Sequence, residues 1–578
     1  MKKMKNTKYH IFALIFSLGL FSACEVLEPE DENVYDLEDV KSVVIFAEGL
    51  LMNPYRNVIG SHESFPLAYA CDDAVNNDPT NNIKTLVAGG WTANENPFNE
   101  WNGAYENILY INSFMEIIGD IEWYWKNATT DSIFAVKLKG EAHALRAWDY
   151  FHLLQAHAGK GANGEMLGVP IVDRVLSTAE DSDYKIPRST FNDLVEFILA
   201  DCDTAINLLP QRWVSTGDVP ADKAIGERNN NRINGHVAQF LKVKTLLYAA
   251  SPAFSDGTYT YQMAAEAAVA LMDSSNNLAN ITSANSDHIE FYSNLDVVNA
   301  VNLHPEVIWR SFKENASSDW ESTNYPPSLY GEGLTNPSQN LVNAFPMLDG
   351  TPTPDSKINS DDPYSGRDPR LDKYIIYNGA TFTIGAKNIV FDTKSGTQDA
   401  LGSLDNFSTK SGYYLKKFMN LSSVDLDPTV ESEGMHYYTF VRYTDVLLMF
   451  AEAANEALDP DGDIGGYNAR QVINAIRDRA GITSTAYVDG LDKAGMTELI
   501  RNERRIEMCF ENQRFWDLRR WKLTDQLNEP VYGVRVSADG LSYSYEEVET
   551  RQFQDYQIYG PIPYGETLKY NLVQNEGW

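Results

Sequence analysis

The stretch "GEAHALRAWDYFHLLQAHAG", residues 140–159, decides the fold class. Gly140, Ala144, Ala147, Phe151, Leu154 and Ala158 recur at steps of three and four, so they share one face of an α-helix. Small residues on that face let a second helix approach closely, while Phe151 and Leu154 fill the space beyond. Such a helix belongs to helix pairs stacked as in a solenoid. Gly159 is placed to end it.

Outward from this helix, the same spacing predicts further helices over 101–118, 190–209, 233–251, 261–273, 441–458, 468–481 and 496–512, with the central one spanning 133–158. In "PRST" either Ser189 or Thr190 is placed to cap the helix that begins near Phe191, and Pro210 closes it after Leu209. Tyr443, Leu447, Ala451, Ala454 and Leu458 form a second stripe that stops at Pro460. The units keep no strict period, so the pattern is tetratricopeptide-like rather than an exact repeat. Between 275 and 435 the composition shifts to Asn, Ser, Thr, Asp, Gly and Pro, with short strand-like runs such as "EVIWRSF" (306–312) and "YYLKKF" (413–418). Long ordered loops inside a large domain usually carry function.

The N-terminus reads as an export leader. Lys2, Lys3, Lys5 and Lys8 precede the apolar run Ile11 to Phe21, which as a helix rises only about 16 Å, while a membrane span needs roughly 20 apolar residues. In "FSACEVLEPEDE" (21–32) the small residues Ser22 and Ala23 directly before Cys24 are similar to a bacterial lipobox, with Phe21 where Leu or Val is usual. Cys24 is therefore the expected acylation site, and several acyl chains at about 0.8 kcal/mol per buried CH₂ would anchor the mature N-terminus durably. Glu25, Glu28, Glu30, Asp31 and Glu32 then form a solvated leash.

With 43% hydrophobic and 12% aromatic residues, the 578-residue chain can bury a real core. Its net charge of −34 becomes about −38 once residues 1–23 are removed, which argues against nucleic acid and anionic membrane surfaces as partners. Apart from Cys24, the cysteines Cys71, Cys202 and Cys509 are odd in number and widely spaced, so no disulfide framework or metal pair follows.

Several motifs fail on context. "GKGANG" (159–164) follows a helix and does not open one, unlike a dinucleotide fingerprint. "DPDGD" (459–463) lacks the Gly and Glu that an EF-hand needs, since Ile464 and Arg470 stand there, so a polar turn is expected and a casual calcium site is the alternative. The charged set Glu503, Arg504, Arg505, Glu507, Glu511 and Arg514, with Arg477, Arg479 and Glu452, reads as ion pairs that fix helix packing. There is no HExxH and no G-x-S-x-G; a carboxylate pair for glycoside hydrolysis leaves no linear signature.

Several stretches, in order along the chain, resemble the SusD/RagB family of outer-membrane nutrient-binding lipoproteins. They are the helix at 140–159 with "GVPIV" (168–172), "IPRSTFNDLVEFILADCDTAINLLP" (186–210), "RINGHVAQFLKVKTLLYAA" (232–250), "GRDPRL" (366–371), "FVRYTDVLLMFAEAANEAL" (440–458), "INAIRDRAGI" (473–482), "IRNERRIEMCFENQRFWDLRRW" (500–521) and "GPIPYGETLKYNLVQNEGW" (560–578). The resemblance implies a mainly α fold, a superhelix of four tetratricopeptide-like helix pairs with a loop-rich region packed on it. It also implies a non-enzymatic, lipid-anchored, surface-exposed glycan-binding protein of the outer membrane, partnered with a SusC-like TonB-dependent barrel and needing no cofactor. The expected organisation is a leader (1–23), a lipidated leash (24–40), an N-terminal helical repeat region (41–274), a loop-rich ligand-binding region (275–435), and C-terminal helical repeats with an irregular tail (436–578). A peptide-capturing RagB-like protein, a glycoside hydrolase and a scaffold that binds only its barrel stay open as alternatives.

Carbohydrate sites pair flat aromatic faces with short polar side chains on loops held by a rigid scaffold. Trp101, Tyr105, Asn112, Trp148, Trp309 and Trp516 sit on helices or in a strand-like run and are expected in the core. Trp91, Asn94 and Asp73 are the residues the resemblance carries to the glycan face. Trp320, Tyr325 and Tyr330, in "SSDWESTNYPPSLYGEG", are the second half of the expected platform.

Overall fold

The structure, a computed structural model, describes residues 37–58, 66–176, 181–275, 278–279, 304–311, 316–385, 387–404 and 407–578; the leader, Cys24 and most of the leash lie outside them. Helices α1 (Val44–Val58), α2 (Trp101–Ile117), α3 (Ala128–His157), α4 (Phe191–Leu208), α5 (Gly235–Ala250) and α6 (Tyr261–Ser275) each pack on the next in chain order. The stack then continues from α6 onto α7 (Tyr443–Ala457), which packs on α8 (Ala469–Arg479) and α9 (Lys493–Glu507). The chain between α6 and α7 is thus an excursion from an otherwise continuous helical superhelix.

The face read from 140–159 is buried as the spacing requires: Ala144, Ala147 and Leu154 have no exposed surface. A Cβ on Gly140 would lie 2.8 Å from Leu209, so this glycine sets the closeness of α3 and α4. Thr190 caps α4 by accepting from the Asp193 amide. α3 begins earlier than its spacing indicates because Asn127 caps it, accepting from the Thr130 amide at 2.9 Å. α1 was not among the expected helices; Pro54 and Gly49 inside it mask its pattern. The span expected over 496–512 stops at Glu507, since Phe510 (φ 62°) and Asn512 (φ 59°) are left-handed.

Gly159 does not end α3, which stops at His157. A Cβ there would fall 2.4 Å from Tyr559, so the residue admits the C-terminal tail. "GKGANG" forms the turn of a small hairpin that pairs Gly159–Lys160 with Met166–Leu167.

The excursion is held by short antiparallel pairs. β1 (Ala74–Asn76) pairs with β3 (Thr335–Pro337), and β2 (Val307–Arg310) pairs with β4 (Thr439–Arg442), which leads directly into α7. A longer hairpin, β5 (Val531–Val536) with β6 (Tyr543–Glu549), extends the same side of the molecule.

Where loops meet helices the packing is ionic. Glu507 takes Arg370 at 2.9 Å, Arg442 at 3.0 Å and Arg479 at 2.6 Å, and all four side chains are at most 4% exposed. Arg370 also holds Asp368 and Glu503, and Arg442 holds Glu306 and Glu511. Arg504 bridges Asp445 and Asp517, and Arg520 bridges Asp517 and Glu452. The charged helix therefore fixes packing, as its composition indicated. In "DPDGD", Asp461 pairs with Arg470, and Asp459 and Asp463 accept backbone amides of the same turn.

Two stability outcomes follow from these groups. Glu507→Ala would leave three buried guanidinium groups short of a partner and is expected to lower the unfolding free energy by about 3–5 kcal/mol, read from urea titration. Burial holds His157 and His236 down from the usual 6.5 to about 4. Between those values the unfolded chain binds protons that the folded one refuses, so stability falls as pH drops. The expected slope is up to about 1.4 kcal/mol per pH unit per histidine, and urea midpoints compared at about pH 7 and about pH 5 check it.

Candidate functional site

Of the residues expected on the platform, the structure buries four. Trp91 is 3% exposed and enclosed by Phe98, Phe515, Phe553 and the C-terminal Trp578, whose ring centroid lies 4.9 Å away; its indole donates to Asn96. No face of that ring is open to a sugar. Asp73 is 1% exposed and accepts from Arg505 at 2.8 Å, so it belongs to the ionic packing. Trp320 is 2% exposed and stacks on His436 with ring planes 13° apart. Tyr325 is fully buried, with its hydroxyl donating to the Val424 carbonyl. Asn94 is exposed on its loop but has no open indole beside it.

Tyr330 remains, and its setting is distinctive. It is 59% exposed and sits at φ 67°, at the end of the short 3₁₀ turn Pro327–Leu329. A tyrosine in left-handed backbone costs about 1 kcal/mol or more and persists only when its surroundings impose it. Here they do: the Ser328 amide donates to buried Asp399, the Tyr330 amide to the Pro327 carbonyl and the Gly333 amide to the Tyr325 carbonyl. A Cβ on Gly331 would fall 2.2 Å from the Tyr325 carbonyl oxygen, so only glycine lets the chain turn back there.

The turn stands on a polar loop face. Asn77, at the end of β1, donates its side-chain amide to the carbonyls of Glu332 and Gly333. The Phe407 carbonyl abuts Gly333, so the backbone of Phe407, a residue 48% exposed, joins the same loop cluster. Lys410 is anchored there by donating its amide to Asn336. Lys84 lies close enough to Lys410, Asp78 and Glu549 to feel their charges; burial, the largest influence, lowers its pKa. Two exposed aromatic residues, Tyr330 and Phe407, thus stand on adjoining loops that also carry Asn77 and Lys410. Phe407 escaped the sequence reading because it lies in a polar run with no second aromatic beside it.

A second surface runs along the hairpin. Two adjoining cavities of about 400 and 260 Å³ share Asp72, Arg505 and Glu529 and are otherwise lined by groups such as Tyr532, Asn343 and Arg514. Its buried carboxylate is engaged: Asp72 pairs with Arg505 at 2.8 Å and with Arg514 at 3.2 Å. Despite its burial, these two guanidinium groups hold the Asp72 carboxyl down to about 2. Among the described residues one cluster, Cys71, Asp72 and Asp73, brings three metal-ligating side chains together. Its carboxylates hold the arginines just named and burial pushes its thiol up, so the donor set does not fit a cation. Cys71, Cys202 and Cys509 are buried free thiols.

Residues 305–578 match the SusD family model, and residues 28–224 match one described as starch-binding associating with outer membrane. The chain belongs to the SusD family. SusD-like protein P38 of Formosa agariphila is 24% identical over 562 residues, covering 92% of this chain and 95% of that protein. The fold matches solved SusD-family structures. A SusD-like protein from Bacteroides fragilis superposes with a TM-score of 0.74 at 23% identity, over 95% of this chain and 100% of that one. A SusD-like carbohydrate binding protein from the same species gives 0.67 at 21%, over 91% and 98%.

The burial pattern separates the enclosed Trp91 and Trp320 from the exposed Tyr330. Trp91→Ala and Trp320→Ala are each expected to destabilise by about 3–5 kcal/mol, as core aromatic truncations do, whereas Tyr330→Ala should change stability little. Urea unfolding of the three variants checks this.

Proposed function

We propose that this protein is a surface-exposed lipoprotein of the outer membrane, acylated at Cys24, that captures a glycan on the Tyr330 face and passes it to a SusC-like TonB-dependent barrel. The observation that carries the reading is the exposed Tyr330, presented by a left-handed backbone that its polar loop holds in place. Sugar rings offer apolar C–H faces to an aromatic platform and hydroxyls to charged and amide groups nearby, and a tyrosine on a braced backbone loses little entropy when one stacks on it. Membership of the SusD family, and a B. fragilis relative described as carbohydrate binding, support it. Exposed aromatic residues on adjoining loops suit a long chain lying across them, with modest affinity per site.

Binding without cleavage is the reading the carboxylates favour. In the hairpin groove Asp72 has its carboxylate engaged by two arginines, which removes it as a nucleophile or base. The acidic surface and short lipid leash leave the barrel as the membrane partner in this proposal.

The test is native affinity electrophoresis of the body starting after Cys24 through gels holding a panel of polysaccharides. Retardation by at least one polysaccharide is expected, with Tyr330→Ala and Phe407→Ala each weakening it about tenfold and Tyr532→Ala leaving it unchanged. Loss with Tyr532→Ala alone would move the site to the hairpin groove, and no retardation by any polysaccharide would overturn glycan capture.

A further inference from the structure

Built from residues other than those of the loop face, a cavity of about 440 Å³ lies among α2, α3, α5, β4 and the segment leading into α10 (Arg514–Arg520). Its walls include Trp148, Phe151, Phe240, Phe440 and Trp516, and Gly103, exposed on α2, stands at its edge. Trp148 and Trp516, expected as plain core, thus border open space.

We infer that this cavity is a second binding site, for a small ring compound carrying a protonated amine. The polar atoms left without partners along its lining are acceptors. Asp149 is 6% exposed; one carboxylate oxygen accepts from Asn107 at 3.0 Å, while Oδ2 is buried with no partner among the described residues. Asn512 donates to the Tyr438 hydroxyl, yet its buried Oδ1 likewise has no partner. A buried acceptor with no donor costs about 1–3 kcal/mol, more when charged, so both atoms call for a ligand that donates. Burial pushes the Asp149 carboxyl well above the usual range and Glu100, another carboxylate, adds to the shift, so the acid keeps its proton until a cation beside it stabilises the carboxylate.

The cavity's other titratable groups do not supply the missing cation. Lys244 donates to Gln513 and lies over the Phe151 and Phe240 rings, and burial lowers its pKa. His152 is held down to about 4, with Nδ1 at the Trp148 carbonyl. Glu511 is taken by Lys417 and Arg442. An ammonium group would satisfy Asp149, while aromatic walls attract both its charge and the ring that bears it. The volume is that of a small-molecule pocket and is ample for a single ring.

Such an amine could come from an amino sugar or from an aromatic amine, and the test separates the two. Tryptophan fluorescence, reporting from Trp148 and Trp516, is titrated with glucosamine and tyramine and with their uncharged counterparts glucose and 4-ethylphenol. Saturable binding of at least one amine is expected, at least tenfold tighter than its counterpart. Asp149→Asn keeps the shape and should weaken it at least tenfold. Gly103→Phe, at a helix position where a Cβ meets nothing within 4 Å, should block entry without disturbing the fold or polysaccharide retention. Binding of neither amine, equal binding of the neutral compound, or undiminished binding in both variants would overturn the inference. None of these results bears on the Tyr330 face, so the two readings fail separately.

Discussion

The structure turns on a buried carboxylate, Glu507, at the last residue of α9. Three arginines reach it from three places: Arg370 from the loop region, Arg442 from the strand that feeds α7, and Arg479 from the end of α8. Taking so many charges out of water is unfavourable unless every one is answered, and here Asp368, Glu503, Glu306 and Glu511 complete the set. The network is directional where a hydrophobic contact is not. It fixes the rotation of the loop region against the helices, and the loop face inherits its position from it.

That dependence explains which parts were legible in the sequence. The helical stack was read from local spacing because each helix buries a stripe against its sequence neighbour. Gly140, Ala144 and Leu154 carry their role in their order alone. The ionic role of Glu503 to Arg514 was also legible, since so dense a mixture of signs on a helix has few other uses. The helix's end was not, because the left-handed residues Phe510 and Asn512 are imposed by tertiary packing rather than by glycine or proline.

The candidate site was only partly legible, for a different physical reason. Trp91 follows two glycines in a polar loop and looks exposed, yet Phe553 and Trp578, more than four hundred residues later, close over it. Trp320 is covered in the same way by His436. Local composition reports whether a segment is a loop, not whether another loop lies on top of it. Tyr330 differs because its turn has a local signature, a proline pair followed by Gly331 and Gly333, even though Asp399 and Asn77 brace it from afar.

The pairing of β2 with β4 has a consequence for how such a protein varies. These strands pair an early part of the excursion with its finish, and α6 packs directly on α7, so the helical stack passes from one to the other whatever lies between. With both ends clamped, doubling the length of the intervening chain adds only about 0.6 kcal/mol of closure entropy. The superhelix behaves as a chassis and the excursion as an interchangeable cassette. A lineage of such proteins is free to redraw its ligand face by insertion and deletion while the helices keep one shape for whatever they dock against.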